Sequence, residues 1–304
     1  MKPQTLHAIV GVALLALIGC DRATKQVADV SNRIGSIEVQ IVGPGVVSTD
    51  APEFATAFSP DGDTIYFNRT PPDRSSIGLF YSVRTERGWS ESHLFPPTQG
   101  ITALDPFLSA DGRKLYFASP RIRASSGIES LSIWFVERTQ AGWSEIKDVG
   151  EPINSDSADY FISRAADGTV AFSSTRSGIL GIYTTSETSS GWSVPELLEL
   201  EGAPHASNPL ISSGGGFMIV SAAGQNGVSD LLIACRIVSG WSRPRRLPEP
   251  VNSRFAEFAP AIAGEHLYFT SERPGIVGAQ PDSIRPPGDL YRTHIGVIAD
   301  LCRP

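Results

Sequence analysis

One hairpin pattern recurs five times along the chain and limits the folds that the chain can adopt. In its first copy, Phe58 precedes a Ser-Pro-Asp-Gly turn at 59–62, and a Thr-Ile-Tyr-Phe segment follows at 64–67. Proline presets φ for such a turn, aspartate bonds its own backbone, and glycine accepts a positive φ. Aromatic and β-branched residues on both sides are typical of buried strands. The pattern therefore predicts two strands joined by a tight turn.

The copies return at a nearly constant interval. Their turn glycines are 50, 56, 47 and 49 residues apart: Gly62, Gly112, Gly168, Gly215 and Gly264. A second marker, Gly-Trp-Ser, keeps the same interval at 88–90, 142–144, 191–193 and 240–242. In the third repeat, four short strands are predicted at 160–164, 170–174, 181–186 and around 194–200. Four strands in a repeat of about 40–50 residues are typical of a propeller blade. We therefore predict an all-β, five-bladed β-propeller with four-stranded antiparallel blades.

These turns resemble the WD40-like β-propeller repeats of the TolB type. The resemblance rests on the Ser-Pro-Asp-Gly turn and on the Leu-Tyr-Phe-x-Ser strand that follows it. The first, second and fifth copies are the most similar, whereas the fourth has Ser-Gly-Gly-Gly at 213–216 and lacks the aspartate. The resemblance covers roughly residues 36–304. It implies a propeller that acts as an interaction platform.

The two ends of the repeat region are complementary. Segment 35–44 aligns with 142–151, which begins at a Gly-Trp-Ser turn, and the fifth repeat lacks such a piece. We therefore predict that 36–42 pairs with a strand near 290–298 and completes the last blade. This pairing would satisfy a sheet edge that otherwise favours aggregation.

The N-terminal residues have the pattern of an export signal. Lys2 precedes an apolar run at 8–19 that is too short to span a bilayer. The run ends in Leu-Ile-Gly-Cys at 17–20, which resembles a bacterial lipobox with Cys20 as the lipidated residue; a plain secretory signal is the alternative. We expect a lipoprotein signal peptide, a flexible tether and a propeller domain at 1–19, 20–35 and 36–304. This order predicts an exported protein on the periplasmic face of a bacterial membrane, held there by its lipid anchor.

Charge and motif content exclude several classes of protein. The net charge of −7 argues against a nucleic-acid partner. The sequence has no Gly-x-Ser-x-Gly nucleophile elbow, and its five histidines show no zinc-ligand spacing. We therefore expect no metal and no cofactor, and we expect a monomer.

Two cysteines remain after Cys20. Cys235 lies in a predicted strand of the fourth repeat and Cys302 lies near the C-terminus. In an oxidising compartment the pair can form a disulfide that ties the tail to the fourth blade. A buried thiol and a separate terminal thiol are the alternative.

Polar residues, most of them acidic, stand before the predicted inner strands at intervals of 52, 54, 49 and 49 residues: Glu53, Asp105, Asp159, Asn208 and Glu257. Equivalent positions in a propeller are rotated copies about one axis. Four carboxylates and one amide are therefore predicted to surround the mouth of the central channel.

Three interpretations of this ring remain open. In the first, each acid caps its own turn or pairs with a nearby arginine, for which the candidates are Arg69, Arg121, Arg176 and Arg273. In the second, the ring holds a cation or a polar ligand. In the third, two of Glu53, Asp105, Asp159 and Glu257 are the catalytic acids of a glycosidase, as in five-bladed hydrolases of the arabinanase kind. Because catalysis needs differentiated carboxylates rather than one acid in nearly every repeat, we favour the structural interpretation.

The leading functional hypothesis is a non-catalytic cell-envelope lipoprotein that binds a protein or a glycan through one rim. A glycoside hydrolase is the alternative. The repeated tryptophans are interpreted as packing residues between blades rather than as sugar-stacking platforms. The loops that depart most from the repeat, at 71–77, 120–130 and 274–288, are predicted to carry the contact surface.

Overall fold

The five repeats fold as five antiparallel sheets, and in four of them the strands follow one another in chain order. The computed structural model describes residues 37–71, 76–122, 127, 129–189, 191–224, 227–278, 287–299 and 301–302. The predicted signal peptide, Cys20, the whole of the predicted tether and Ser36 lie outside this part of the chain. Each sheet is one blade, with an inner strand nearest the ring axis and an outer strand at the periphery.

The strands recur with the period of the sequence markers. The inner strands are Glu53–Phe58, Leu104–Leu108, Asp159–Arg164, Ser207–Ile211 and Glu257–Ala263. The second strands are Thr64–Arg69, Lys114–Ile122, Thr169–Ser174, Phe217–Ala223 and His266–Ser271. The third strands are Gly78–Thr85, Glu129–Thr139, Gly181–Thr188, Ser229–Ile237 and Asp289–His294.

The outer strand of blades 1 to 4 consists of two short segments that both pair with the third strand. These segments are Gly88–Trp89 with His93–Leu94, Gly142–Trp143 with Lys147–Asp148, Gly191–Trp192 with Glu196–Leu198, and Gly240–Trp241 with Arg245–Arg246. A 3₁₀ turn, Pro96–Thr98, follows blade 1. The serine of each Gly-Trp-Ser accepts a hydrogen bond of 3.0 or 3.1 Å from the backbone N–H seven residues earlier. This bond holds the two segments against one third strand and explains why the serine recurs.

An N-terminal strand closes the ring, as predicted. Gln40–Ile41 pairs antiparallel with Asp289–His294, and Gln40 lies opposite Arg292. The Val42 N–H extends this pairing by donating to the Leu290 carbonyl at 2.9 Å. Inner strands contact those of both neighbouring blades around the whole ring. The third strand of blade 5 ends at His294 and a one-turn helix, Gly296–Ala299, follows, so this strand is shorter than the sequence predicted.

The core is divided among the interfaces between blades. Trp143 of blade 2 lies edge-on against Tyr66 and Phe95, with ring centroids 6.5 and 5.6 Å apart. Trp89, Trp192 and Trp241 pack in the same way into clusters shared with the preceding blade. The structure therefore supports the interpretation of these tryptophans as packing residues.

The C-terminal tail lies against blade 4. The Sγ atoms of Cys235 and Cys302 are 1.99 Å apart, which joins the tail to the third strand of that blade. Among the described residues, no helix is long and apolar enough to cross a membrane.

Candidate functional site

The two faces of the ring differ in construction. At one face, here called the upper face, the inner strands begin and the second strands end. The loops that depart from the repeat also lie at this face, because they connect second strands to third strands. At the opposite, lower face, the tight turns connect inner strands to second strands. All of the acids singled out in the sequence lie at or near the upper face.

Glu257 is fully buried in a set of contacts that we call an arginine clamp. Its carboxylate accepts hydrogen bonds from the Ser253 N–H at 2.9 Å, the Ser253 hydroxyl at 2.6 Å and the Ser271 hydroxyl at 2.7 Å. The Arg273 guanidinium forms an ion pair with it at 3.1 Å and also donates to the carbonyls of Pro250 and Val251. The clamp thus joins the inner strand, the second strand and the preceding loop of blade 5.

Two further acids lie in equivalent clamps. Asp159 accepts from the hydroxyls of Ser155 and Ser174 and pairs with Arg176 at 2.9 Å. Glu53 accepts from the N–H and hydroxyl of Thr49 and pairs with Arg69 at 2.7 Å. Burial raises the pKa of the Glu53 carboxyl to about 7, while the bonds from Thr49 and the Arg69 charge act to lower it. In these three blades the structural interpretation of the acids therefore agrees with the contacts.

Asp105 and Asn208 do not belong to this set. Each inner strand contains a bulge at which one residue has a positive φ of 48 to 56°; these residues are Ala55, Asp105, Phe161, Asn208 and Ala259. The clamp acids precede the bulge by two residues, and blades 2 and 4 have Ala103 and Ala206 there. The single ring of five predicted from the spacing is thus two different positions.

The number of residues between each polar residue and its turn glycine distinguishes these two positions. Asp105 and Asn208 lie seven residues before their turn glycines, whereas Glu53 and Asp159 lie nine residues before theirs. Glu257 also lies seven residues before its glycine, because the turn of the fifth repeat is two residues shorter. The clamp partners carry a signal as well: Pro-Ile-Asn-Ser at 152–155 and Pro-Val-Asn-Ser at 250–253 precede two of the acids.

Three of the five bulge residues meet at the ring axis. Ala55, Phe161 and Ala259 form one buried cluster, and Phe54, Tyr160 and Phe258 pack against it. These six residues, here called the axial cluster, come from blades 1, 3 and 5. Blade 3 is separated from blades 1 and 5 by another blade on each side, so such a cluster forms only around the axis.

Asp105 occupies the same level of the axis in blade 2. It is 7% exposed, and its own N–H donates to the Asn68 side-chain oxygen at 2.8 Å. Burial, together with the Asp105 charge, raises the pKa of Tyr160 in blade 3 to about 12. Within the described chain, no hydrogen bond or ion pair reaches this carboxylate, and burial raises its pKa to about 7. Arg121, a candidate partner from the sequence, pairs instead with Asp148 at 2.6 Å.

The separation of the clamp acids from Asp105 limits the reactions that this site can catalyse. Three of the four predicted acids are neutralised in clamps, so Asp105 is the one that has no charged partner among the described residues. Hydrolysis of a glycosidic bond needs two carboxyl groups about 5–10 Å apart on either side of the bond. Within the described chain, no group of three or more His, Cys, Asp or Glu side chains is placed to hold a metal ion.

The upper face also carries exposed aliphatic side chains. Ile122 is 72% exposed and Ile179 is 57% exposed, and Ile101, Ile276 and Val277 are exposed around the same face. The loops predicted to form the contact surface lie here, but their segments 72–75, 123–126 and 279–286 and residue 128 lie outside the described residues. The predicted contact role of these loops stays a prediction.

The lower face contains a cleft of about 1270 Å³ lined by the turns of all five blades. Several of its charged groups are engaged: Asp111 accepts from the Ser109 hydroxyl at 2.6 Å, and Arg164 pairs with Glu187 at 2.6 Å. Arg84 and Arg138 stack on Trp89 and Trp143. The cleft is therefore a consequence of the repeated turn.

Comparisons with known proteins agree on the fold and not on an activity. No protein-family model matches the chain, and no curated protein sequence matches it. The catalytic domain of a GH62 α-L-arabinofuranosidase from Coprinopsis cinerea is 12% identical, with 86% of this chain and 98% of that chain covered and a TM-score of 0.53. A gluconolactonase from Xanthomonas campestris is 11% identical, with 88% and 92% covered and a TM-score of 0.50. A putative TolB from Agrobacterium tumefaciens is 15% identical, with 78% and 79% covered and a TM-score of 0.48. At such identities the similarities to the arabinofuranosidase and the gluconolactonase show the fold alone, and different functions are built on one fold.

Proposed function

We propose that this protein is a non-catalytic scaffold of the bacterial cell envelope that binds a partner protein through its upper face. The observation that carries the proposal is the arginine clamp. Three of the four acids that a hydrolase would draw on are held by arginine and hydroxyl groups within their own blades. A carboxylate held in this way stabilises the blade and is not free to act as an acid or a nucleophile. The envelope location rests on the lipobox-like N-terminal sequence.

The exposed aliphatic residues favour a protein as the partner. Exposed apolar surface is typical of protein contact sites, and half of the exposed aliphatic side chains of the described residues lie at the upper face. Ile122 and Ile179 come from neighbouring blades and lie beside the loops that depart from the repeat. Glycan sites use exposed aromatic rings as stacking platforms, whereas the repeated tryptophans here pack between blades.

Site-specific photo-crosslinking in the native envelope tests the proposal. A photoreactive residue at Ile122 or Ile179 is expected to capture a discrete protein, and Ile122→Asp or Ile179→Asp is expected to abolish the capture by the other position. Val238 is the matched control, because it is an exposed aliphatic residue at the lower face. A crosslinker at Val238 is expected to capture nothing discrete, and Val238→Asp is expected to leave the upper-face capture unchanged.

Two results would overturn the proposal. Equal capture from Val238 would remove the upper face as the contact surface. Release of reducing sugar from envelope or plant polysaccharides by the purified protein, lost in Asp105→Asn, would show a glycoside hydrolase.

A further inference from the structure

The cleft of the lower face is a site that the proposed scaffold function, which uses the upper face, leaves unassigned. Its volume of about 1270 Å³ exceeds that of most clefts that enclose small ligands, which measure roughly 300–1,000 Å³. Turns and strand ends of all five blades line it. The repeated turn explains the shape of the cleft, but the side chains that line it differ from blade to blade.

In four blades the inner strand contributes apolar side chains to the cleft. Phe58, Phe107, Leu210 and Ile262 line it, and each is only half-buried; we call these four residues the apolar floor. The centroid of the Phe58 ring lies 4.2 Å from that of Tyr268, so part of this floor is a packed aromatic surface. Partly accessible apolar side chains in a concave site are suited to hold the apolar body of a ligand.

Blade 3 departs from this pattern. In the other four blades, the inner strand ends in an apolar residue opposite the start of the second strand: Phe58, Leu108, Ile211 and Ile262. Blade 3 has Arg164 at this position, opposite Val170. The guanidinium of Arg164 donates to Glu187 at 2.6 Å, and its side chain is 34% exposed. The blade geometry does not require a cation here, so Arg164 adds a charge at an otherwise apolar position of the cleft.

The arginines of the cleft have hydrogen-bond donors to spare. Five of them line it: Arg84, Arg113, Arg138, Arg164 and Arg292. Besides the bond from Arg164 to Glu187, their guanidinium groups donate one bond to described residues, from Arg292 to Gln40 at 3.1 Å. By contrast, the guanidinium of Arg273 in an upper-face clamp donates four bonds. The side chain of Arg113 makes no hydrogen bond or ion pair with any described residue.

The acids that line the cleft equal its arginines and lysines in number, six of each, but they are more fully occupied. Asp61 and Asp111 accept a serine hydroxyl and a backbone N–H of their own turns. Glu137 pairs with two lysines, and Glu187 pairs with Arg164. The two acids that accept no hydrogen bond from a described residue are both exposed: Asp63 and Glu265. The cleft therefore has more free donors than free acceptors, and it matches a ligand whose polar group is an acceptor.

Three of the arginines come from two neighbouring blades. The Arg138 N–H donates to the Arg113 carbonyl at 2.7 Å, so these two side chains leave adjacent backbone positions of blade 2. Arg164 comes from the inner strand of blade 3. A guanidinium group presents parallel N–H bonds that match the two oxygens of a carboxylate or a phosphate.

We propose that the lower-face cleft binds an amphipathic organic anion. Arg113, Arg138 and Arg164 hold its carboxylate or phosphate group, and its apolar body lies on the apolar floor. The two anionic groups share this recognition chemistry. The site is independent of the partner surface, because it lies at the opposite face of the ring.

Calorimetric titration of the full chain tests the site. The probes are octanoate and octyl phosphate, which carry the two anionic groups on the same apolar chain. Octan-1-ol is the neutral control, and octylammonium is the control of opposite charge. At least one of the two anions is expected to bind about tenfold more tightly than either control. A preference for octanoate would identify a carboxylate ligand, and a preference for octyl phosphate would identify a phosphate ligand.

Variants separate the contact with the anionic group from the contact with the apolar chain. Arg113→Gln is expected to weaken binding of the preferred anion about fivefold without affecting the fold, because this side chain makes no other polar contact. Arg245→Gln is the matched control, since Arg245 is exposed on the outer strand of blade 4 and does not line the cleft. Leu210→Ala is expected to weaken binding about threefold, whereas Leu197→Ala, at an exposed position of blade 3 outside the cleft, is expected to leave it unchanged.

Ionic strength provides a readout that a purely apolar pocket would not give. Because exposed charges hold the anion, raising the salt concentration from about 50 to about 500 mM is expected to weaken its binding about fivefold. Burial of an apolar chain is not screened in this way. Absence of binding of both anions, equally tight binding of octan-1-ol or octylammonium, or unchanged binding by Arg113→Gln would overturn the proposal.

Discussion

At the residue scale, Glu257 and Asp105 are both buried carboxylates, and their partners decide what each contributes. Glu257 receives three hydrogen bonds besides the ion pair with Arg273. These contacts replace the water that the charge loses on burial. Asp105 lost the same water and gained no such contact within the described chain. These two acids look alike in the sequence. Removing the charge is nevertheless expected to lower the stability of the fold at Glu257 and to raise it at Asp105.

Glu257→Gln is expected to destabilise the fold by about 3 kcal/mol, because it leaves the partly buried Arg273 guanidinium beside a neutral amide. Urea denaturation followed by circular dichroism measures the change in the free energy of unfolding. Glu137→Gln is the control, since Glu137 pairs with Lys114 and Lys147 on the surface and such pairs contribute less than about 1 kcal/mol. Equal losses in the two variants would contradict the structural role of the clamp.

Asp105→Asn is expected to stabilise the protein above pH 7. The pKa of Asp105 rises from 3.8 to about 7 on folding, so the folded state holds this proton more tightly than the unfolded state. Stability from this group is therefore highest at low pH and falls as pH rises from about 4 to 7. At pH 8 the variant is expected to gain up to about 4 kcal/mol over the parent chain.

The difference between variant and parent isolates this effect. Burial also raises the pKa values of Glu53 and Asp289, so the parent chain alone reports several groups. Urea midpoints of both chains, measured from pH 4 to pH 8, are expected to diverge up to pH 7 and then to run parallel. A constant difference across this range would show that Asp105 has an ordinary pKa in the folded protein.

The candidate site was only partly predictable from the sequence, for a physical reason. The repeat interval located Glu53, Asp159 and Glu257 and suggested arginine partners for them. It placed Asp105 in the same set, because an interval that varies by several residues does not resolve a shift of two. The surroundings of Asp105 include residues distant in the chain, such as Asn68 of blade 1, so no local pattern encodes its lack of a partner.

At the element scale, the Gly-Trp-Ser motif fixes both the outer strand and the interface to the preceding blade. Trp143→Ala removes a large ring that lies against Tyr66 and Phe95 of the preceding repeat. We expect a loss of about 3 kcal/mol in the free energy of unfolding, at the lower end of the range for fully buried aromatic residues, because Trp143 is partly buried. Val238→Ala, at an exposed turn position, is expected to change it by less than about 0.5 kcal/mol. A small effect of Trp143→Ala would favour a ligand-stacking role for this ring.

The strands and turns could be predicted from the sequence more completely than the bulges. Turn residues and alternating apolar residues are local signals, and repetition reinforces each of them. The bulges depend on contacts between blades: the Ala55 N–H donates to the Thr270 hydroxyl of blade 5 at 3.0 Å, and the Asn208 N–H donates to the Ser173 hydroxyl of blade 3 at 3.0 Å. Such bonds join residues that are distant in the chain, so the positive φ at alanine or phenylalanine has no local signature.

At the scale of the whole molecule, the ring depends on a strand from one end of the chain completing a blade from the other. Gln40–Ile41 covers the edge of Asp289–His294, and Val42 is buried against residues of blades 1 and 5. No other strand among the described residues pairs with this edge. The N-terminal and C-terminal ends of the propeller are therefore held in one sheet by a pairing of only two residues.

Truncation tests this closure. A chain that begins at residue 43 lacks the outer strand of blade 5, so it exposes a strand edge that can pair with a second molecule. We expect it to self-associate and to melt roughly 5–10 °C lower, because it also loses the burial of Val42. A chain that begins at residue 37 keeps the strand and is expected to behave like the full chain in light scattering and thermal unfolding. Addition of a peptide of residues 37–44 to the shorter chain is expected to restore part of its melting temperature, because the peptide can occupy the vacant edge. If both truncated chains have the same size and stability, the N-terminal strand does not close the ring.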